Sequence, residues 1–243
     1  MTNLNLPSIQ EVAASIDHAI LAPNLSTEKL HSELTLAKKL NLFSVCVRPC
    51  DVEEAVSFLA DSDVKVGTVV GFPHGSSTTS VKSVEALEAI DNGASEIDIV
   101  MNISHVINGE AYKAAEEIGI IVNVARSMPG LEKIKVIFEN AYLTSEQIKE
   151  VSIAMQHTGV DFIKTSTGTA ASGAKLEDVN IMVEFKGDME VKASGGIRTI
   201  NDYLAFRDAG VTRFGTSNSE VILNDLEKMH DGTFESATVG SEY

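Results

Sequence analysis

Two lysines end otherwise apolar runs in this chain: Lys164 closes Asp-Phe-Ile-Lys and Lys192 closes Met-Glu-Val-Lys. They stand 28 residues apart, the span of one strand-helix-strand unit, and a right-handed crossover puts such positions on neighbouring parallel strands at one height. A strand-end ion pair accounts for one lysine, but burying two ammonium groups together brings no structural gain. Carbonyl chemistry offers one. A free lysine amine, with a pKa of about 10.4, is protonated at neutral pH and attacks a carbonyl only after losing that proton. A second ammonium at about 4 Å contributes roughly 4 kcal/mol of repulsion at an effective dielectric of about 20, equivalent to about three pKa units. Asp98, within Glu-Ile-Asp-Ile-Val, acts in the opposite sense, so the net shift is smaller unless burial adds to it. Spacing alone leaves open which lysine is the nucleophile. Asp17, after Ser15-Ile16, and Glu139, closing Lys-Val-Ile-Phe-Glu, are the other carboxylates at strand ends.

Two loops point to an anion. Ser194-Gly195-Gly196-Ile197-Arg198 is one, and Gly215-Thr216-Ser217-Asn218, ahead of a helical run from Glu220 to Met229, is the other. A Gly-Gly pair alone marks a tight turn as readily as a ligand; two such loops beside a helix N-terminus supply backbone N–H groups to a phosphate. Cys46, inside Val45-Cys46-Val47, reads as a packed small hydrophobe. His18 and His74 lack a third ligand, and Cys46 and Cys50 lack a partner pair at zinc spacing, so neither a metal nor a disulfide is expected.

The elements that must hold these groups recur as eight β-rich runs: Ile16 to Leu21, Leu42 to Val47, Val64 to Gly71, Glu96 to Met101, Ile134 to Glu139, Asp161 to Thr165, Glu190 to Ala193 and Arg213 to Gly215. Their continuous apolar character suits strands buried on both faces. Helical periodicity follows each. Thr144 and Gln147 have capping-box spacing before Ile148, Val151 and Met155, with Gly159 as a stop; Thr199 opens the run to Tyr203, Phe206 and Ala209, which Gly210 closes. Val81, Val84, Leu87 and Ile90 trace the expected inner face of a helix ending near Gly93. Eight such units without a linker predict one α/β domain, a single (β/α)8 TIM barrel over residues 1–232 with a mobile tail at 233–243. The alternative, an open doubly wound sheet, would carry a glycine fingerprint after the first strand, and Asp17-His18-Ala19-Ile20 has none. In a barrel both lysines lie at the catalytic end, and loops seven and eight form its usual phosphate cradle.

The chain has 243 residues, 44% hydrophobic, enough for one such core. A formal net charge of −16 disfavours nucleic acid and acidic membrane surfaces as partners. No apolar run reaches the roughly 18 to 20 residues of a membrane span, and Met1 to Gln10 lacks the features of a secretory leader, so a cytoplasmic protein is expected.

Taken together, Ile16-Asp17-His18, Val70-Gly71-Phe72-Pro73-His74-Gly75, Glu96-Ile97-Asp98, Lys164-Thr165-Ser166-Thr167-Gly168, Lys192-Ala193-Ser194-Gly195-Gly196-Ile197-Arg198 and Phe214-Gly215-Thr216-Ser217 resemble the deoxyribose-phosphate aldolase family. The resemblance runs from Ile16 to about Ser217. It implies that Lys164 is the Schiff-base lysine, Lys192 the second lysine and Asp98 the acid/base carboxylate. Its phosphate loops correspond to Gly168, Gly195, Gly196 and Ser217, and Asp17, Cys46, Thr167 and Asn218 are expected to face the sugar-phosphate substrate beside them; acetaldehyde is the other small-molecule partner, no cofactor is expected, and a homodimer is the family's assembly. Three departures stand out: Ala19 where threonine is usual, Asn218 in place of a second serine, and Thr169 to Lys175 in place of a more glycine-rich segment. They bear on phosphate affinity and substrate preference. A transaldolase, another Schiff-base aldolase and a non-catalytic sugar-phosphate binder are the rival readings. A mobile tail ending in Tyr243 also admits a phenol that reaches the site, or a terminus with no role.

Overall fold

Eight short strands, β1 Ile16–Ile20, β2 Ser44–Val47, β3 Lys65–Val70, β4 Glu96–Val100, β5 Lys133–Ile137, β6 Phe162–Lys164, β7 Glu190–Ser194 and β8 Arg213–Thr216, pair in parallel in chain order, and β8 returns to β1. The sheet is therefore a closed barrel. The computed structural model describes residues 6–234 of the chain. Every strand lies within two residues of the run that predicts it. The offset reaches two residues at the start of β2 and at the end of β5, which stops at Ile137 because Glu139 adopts a left-handed backbone (φ 57°, ψ 64°) that a ladder does not accept.

Helices cover the outside: α1 Ile9–Ala13, α2 Thr27–Lys39, α3 Val52–Leu59, α4 Thr79–Asp91, α5 Ile103–Ile107, α6 Ala111–Ala125, α7 Ser145–Met155, α8 Leu176–Phe185, α9 Ile200–Asp208 and α10 Ser219–His230. Thr144 with Gln147 and Thr199 with Asp202 make the reciprocal bonds of capping boxes at α7 and α9, which fixes where each helix leaves its βα loop. Apolar residues on the outward strand faces, such as Val45, Ile97, Val136 and Val191, fill the main core between barrel and helices, while the inward-facing Val100 and Ile137 form a smaller cluster with Ile103.

One expected face is wrong. On α4, Val81 and Val84 are 54% and 63% exposed; of the expected face Ile90 is buried, and the other buried positions are Lys82, Ala86 and Ala89. Small alanines give the helix a smooth inner surface, and the Lys82 amine is carried in by its partners, the Val100 carbonyl at 2.8 Å and Glu117 Oε1 at 3.0 Å. Apolar spacing could not reveal a lysine that is buried because it is paired. Residues 235–243, which hold most of the expected tail and Tyr243, lie outside the described residues.

Candidate active site

Strand register builds the site. Lys164 pairs with Lys192 across β6 and β7, Lys192 with Arg213 across β7 and β8, and Asp98 with Lys135 across β4 and β5. Parallel strands in register point equivalent residues into the barrel together, so charges distant in sequence converge at its centre. The Nζ atoms of Lys164 and Lys192 lie 2.7 and 2.8 Å from the same oxygen of Asp98, Oδ2. Lys135 takes the other oxygen, Oδ1, at 3.0 Å and Glu96 at 2.5 Å. Below them Arg213 bridges Asp17 Oδ1 (2.9 Å) and Glu96 Oε2 (3.1 Å), with its guanidinium 3.6 Å from the centroid of the Phe43 ring. Asp17 completes the network, receiving Lys192 on Oδ2 and the Ser44 hydroxyl on Oδ1.

This buried cluster brings four cationic side chains, Lys135, Lys164, Lys192 and Arg213, to three carboxylates, Asp17, Glu96 and Asp98. Burial penalises an unbalanced charge, so the arrangement favours one neutral amine. Lys164 is the member with the weakest claim on its proton: it pairs with Asp98 alone, whereas Lys192 pairs with Asp17 and Asp98. Burial, reinforced by the Lys192 charge, holds the Lys164 amine below the ordinary lysine value despite the pull of Asp98. Burial acts on Lys192 too, but the Asp17 and Asp98 carboxylates outweigh it and hold that amine above the ordinary value. Asp98 is desolvated, yet Lys135, Lys164 and Lys192 keep its carboxyl well below the usual range, and therefore ionised.

Above the lysines a cavity of about 420 Å³ opens at the C-terminal end of the barrel. Lys164, Lys192, Asp17, Ala19 and Cys46 line its floor, Phe72 and Leu21 to Pro23 part of its wall, and Thr167 to Thr169, Ser194 to Arg198 and Gly215 to Asn218 the rest. Asp17, Cys46, Thr167, Gly168, Gly195, Gly196, Ser217 and Asn218 thus all face it, while Asp98 lies beneath, covered by its amines. Burial pushes the Cys46 thiol up to about 11, so it stays protonated at neutral pH and is no thiolate nucleophile. The loops after β6 and β7 meet backbone to backbone: a Cβ on Gly173 would fall 2.2 Å from the Gly195 carbonyl oxygen. The Ala174 N–H donates to the carbonyls of Ser194 and Gly195 at 3.1 and 3.0 Å, locking that contact.

Several members of the network carry no sequence expectation of a role. Lys135, Glu96 and Arg213 are buried in the same barrel interior, and Glu139 accepts from the Thr167 hydroxyl and from its backbone N–H at 3.3 Å. Burial raises the Glu139 carboxyl toward neutrality against those hydrogen bonds. The signal for Lys135 and Arg213 was period-two placement of charge in an apolar strand, which marks an inward position but not its partners.

A family model described as DeoC/LacD family aldolase matches residues 12–213. The chain belongs to this family. Among its relatives, the deoxyribose-phosphate aldolase of Caldanaerobacter subterraneus subsp. tengcongensis is 41% identical over 222 residues, covering 91% of this chain and 96% of that one. A solved structure titled QR15, an aldolase, superposes with a TM-score of 0.83 at 39% identity over 90% of this chain and 97% of the other. The deoxyribose phosphate aldolase of Aeropyrum pernix, described as having a unique tetrameric structure, gives a TM-score of 0.84 at 27% identity over 91% and 93%. The family match spans β1 to the start of β8, so the paired lysines and Asp98 all fall inside it.

Proposed function

We infer that this family member is a class I aldolase that reversibly cleaves 2-deoxy-D-ribose 5-phosphate to D-glyceraldehyde 3-phosphate and acetaldehyde, as in deoxynucleoside breakdown. The observation that carries this reading is the desolvated Lys164 amine, sharing one Asp98 oxygen with a more firmly protonated Lys192 at the cavity floor.

Neutral Lys164 adds to the C1 aldehyde, and the carbinolamine loses water to give a protonated imine. That imine withdraws electrons from the C2–C3 bond. As the C3 hydroxyl gives up its proton, the bond breaks, releasing glyceraldehyde 3-phosphate and leaving an enamine on Lys164. Protonation at C2 and hydrolysis then release acetaldehyde and restore the amine. Lys192, held as an ammonium, is the donor at these steps; Asp98 stays ionised, orients both amines and takes part in the transfers through a water. The backbone N–H groups around Gly168, Gly195, Gly196 and Ser217, with the N-terminus of α10, receive the phosphate. Thr167 and Asn218 line the path between the lysines and that phosphate.

Borohydride reduction in the presence of acetaldehyde, followed by intact mass and peptide mapping, tests the reading. An ethyl adduct on the peptide containing Lys164, absent in Lys164→Leu, is expected together with turnover of 2-deoxyribose 5-phosphate. Full-yield trapping in Lys164→Leu would reject the assignment.

We also propose a cytoplasmic homodimer. The solvent-facing Val81 and Val84 support self-association, and among the described residues no helix is long and apolar enough to cross a membrane. Light scattering that returns a monomer mass at micromolar concentration would count against the assembly.

A further inference from the structure

His18 has no place in the chemistry above, yet its side chain is fully buried and both ring nitrogens are occupied. Along β1 alternate side chains face opposite sides: Asp17 enters the barrel, and His18 points out to the helices. There Nε2 lies 2.8 Å from Glu33 Oε2 on α2, and Nδ1 lies 2.8 Å from the hydroxyl of Ser219, the first residue of α10. Glu33 is held in turn by Lys29 one helical turn earlier. Burial keeps the imidazole below its ordinary pKa and therefore neutral, against the pull of Glu33. With a carboxylate at Nε2, that nitrogen carries the proton and donates, so Nδ1 accepts from the Ser219 hydroxyl.

The far end of this chain of bonds is the turn on which the phosphate reading rests. Ser217 and Asn218 face the cavity immediately before α10, and Ser219 is itself buried. Apolar packing of Ile222, Leu223 and Leu226 fixes the body of α10 but not its opening turn. His18 is also in register with Thr216 of β8, whose hydroxyl accepts from the Asn218 N–H at 2.9 Å. The imidazole thus braces the β8–α10 junction from behind, opposite the cavity.

We propose that Glu33, His18 and Ser219 form a positioning relay that aims the first turn of α10 at the substrate's phosphate, so that its loss weakens recognition of the phosphate and spares the carbon-carbon chemistry. This rests on the phosphate assignment made above.

Steady-state kinetics with 2-deoxyribose 5-phosphate and with unphosphorylated 2-deoxyribose test it in the wild type, Ser219→Ala, His18→Phe and His18→Asn. Ser219→Ala is the mild variant that keeps the fold if His18→Phe does not. For Ser219→Ala the expected result is a KM for the phosphorylated sugar raised about five- to tenfold, the scale of one lost hydrogen bond. Its kcat should change little, and the constants for the unphosphorylated sugar should hold. His18→Asn, whose side-chain oxygen stands in for Nδ1, should recover part of the loss. An unchanged KM for the phosphorylated sugar, or equal losses on both sugars, would overturn the proposal. A wild type indifferent to the phosphate would instead overturn the phosphate assignment, and the relay with it.

Discussion

Lys164 and Lys192 donate to a single oxygen of Asp98, so their nitrogens are separated by no more than the sum of two hydrogen-bond lengths. Two ammonium groups at that range in a buried site are mutually costly, and the surroundings decide which one yields its proton. Asp17 reaches only Lys192 of the two. The same carboxylate that stabilises one lysine's charge thereby leaves its neighbour the weaker base.

Replacing Lys192 with methionine removes the charge that helps hold the Lys164 amine low and leaves Asp98 pulling on Lys164 more strongly. Both changes raise the Lys164 pKa. The acid limb of the pH profile for Schiff-base trapping should therefore move to higher pH, by up to about three units. Turnover should also fall by about 100- to 10,000-fold for want of a proton donor. A trapping profile that keeps its wild-type position in Lys192→Met would show that the second lysine does not tune the first.

Lys164 should cost the fold stability at neutral pH. A lysine whose pKa is depressed on folding binds fewer protons folded than unfolded between its two values, so stability rises with pH through that window, up to about 10.4. Lys164→Met removes the penalty and should raise stability by about 1–3 kcal/mol while abolishing turnover. Asp98→Leu, by contrast, leaves three amines without their shared anion and should lose about 3–5 kcal/mol. Calorimetry at pH 7 on the two variants decides the matter: opposite signs are expected, and a destabilised Lys164→Met would be at odds with the account.

Acid should act through Asp17 and Asp98. Their folded pKa values lie below the unfolded carboxylate value, so their contribution is fully present above about pH 4 and is lost as pH falls through the folded values. Denaturant titrations between pH 5 and 2 in 1 M salt and at low salt follow the loss. The paired carboxylates are buried, so the loss should persist at high salt, where surface pairs are screened.

Gly173→Ala should open the phosphate loops. Its Cβ would meet the Gly195 backbone at 2.2 Å, and only movement of one loop relieves that contact. Overpacking of this kind costs about 1–3 kcal/mol. Here it should appear as a raised KM for the phosphorylated substrate, and unaltered kinetics would show that the close approach is incidental.

The barrel was legible because each strand is a short run buried on both faces and many of the helices open on a side-chain cap, as Thr144 and Thr199 illustrate. The lysine pair was legible because 28 residues spans one strand-helix-strand unit, here from β6 to β7. What the sequence withheld is partnership. Lys135 and Arg213 are inward charges whose purpose appears only when Glu96, 39 residues before Lys135, is found beside both. The burial of Lys82 and the exposure of Val81 and Val84 overturn the apolar reading of the first half of α4, since a satisfied lysine can sit inside while valines face solvent. Glu139 looked like a strand end and is instead a left-handed turn that grips Thr167.

The central claim is that the amine at position 164 is neutral when its neighbour is charged. Its most direct test is the pH dependence of borohydride trapping with acetaldehyde in the wild type, with the adduct located by peptide mapping at each pH. The account predicts modification at Lys164 with an apparent pKa well below the ordinary lysine value of about 10.4; an adduct on Lys192, or a titration at the ordinary value, would contradict it.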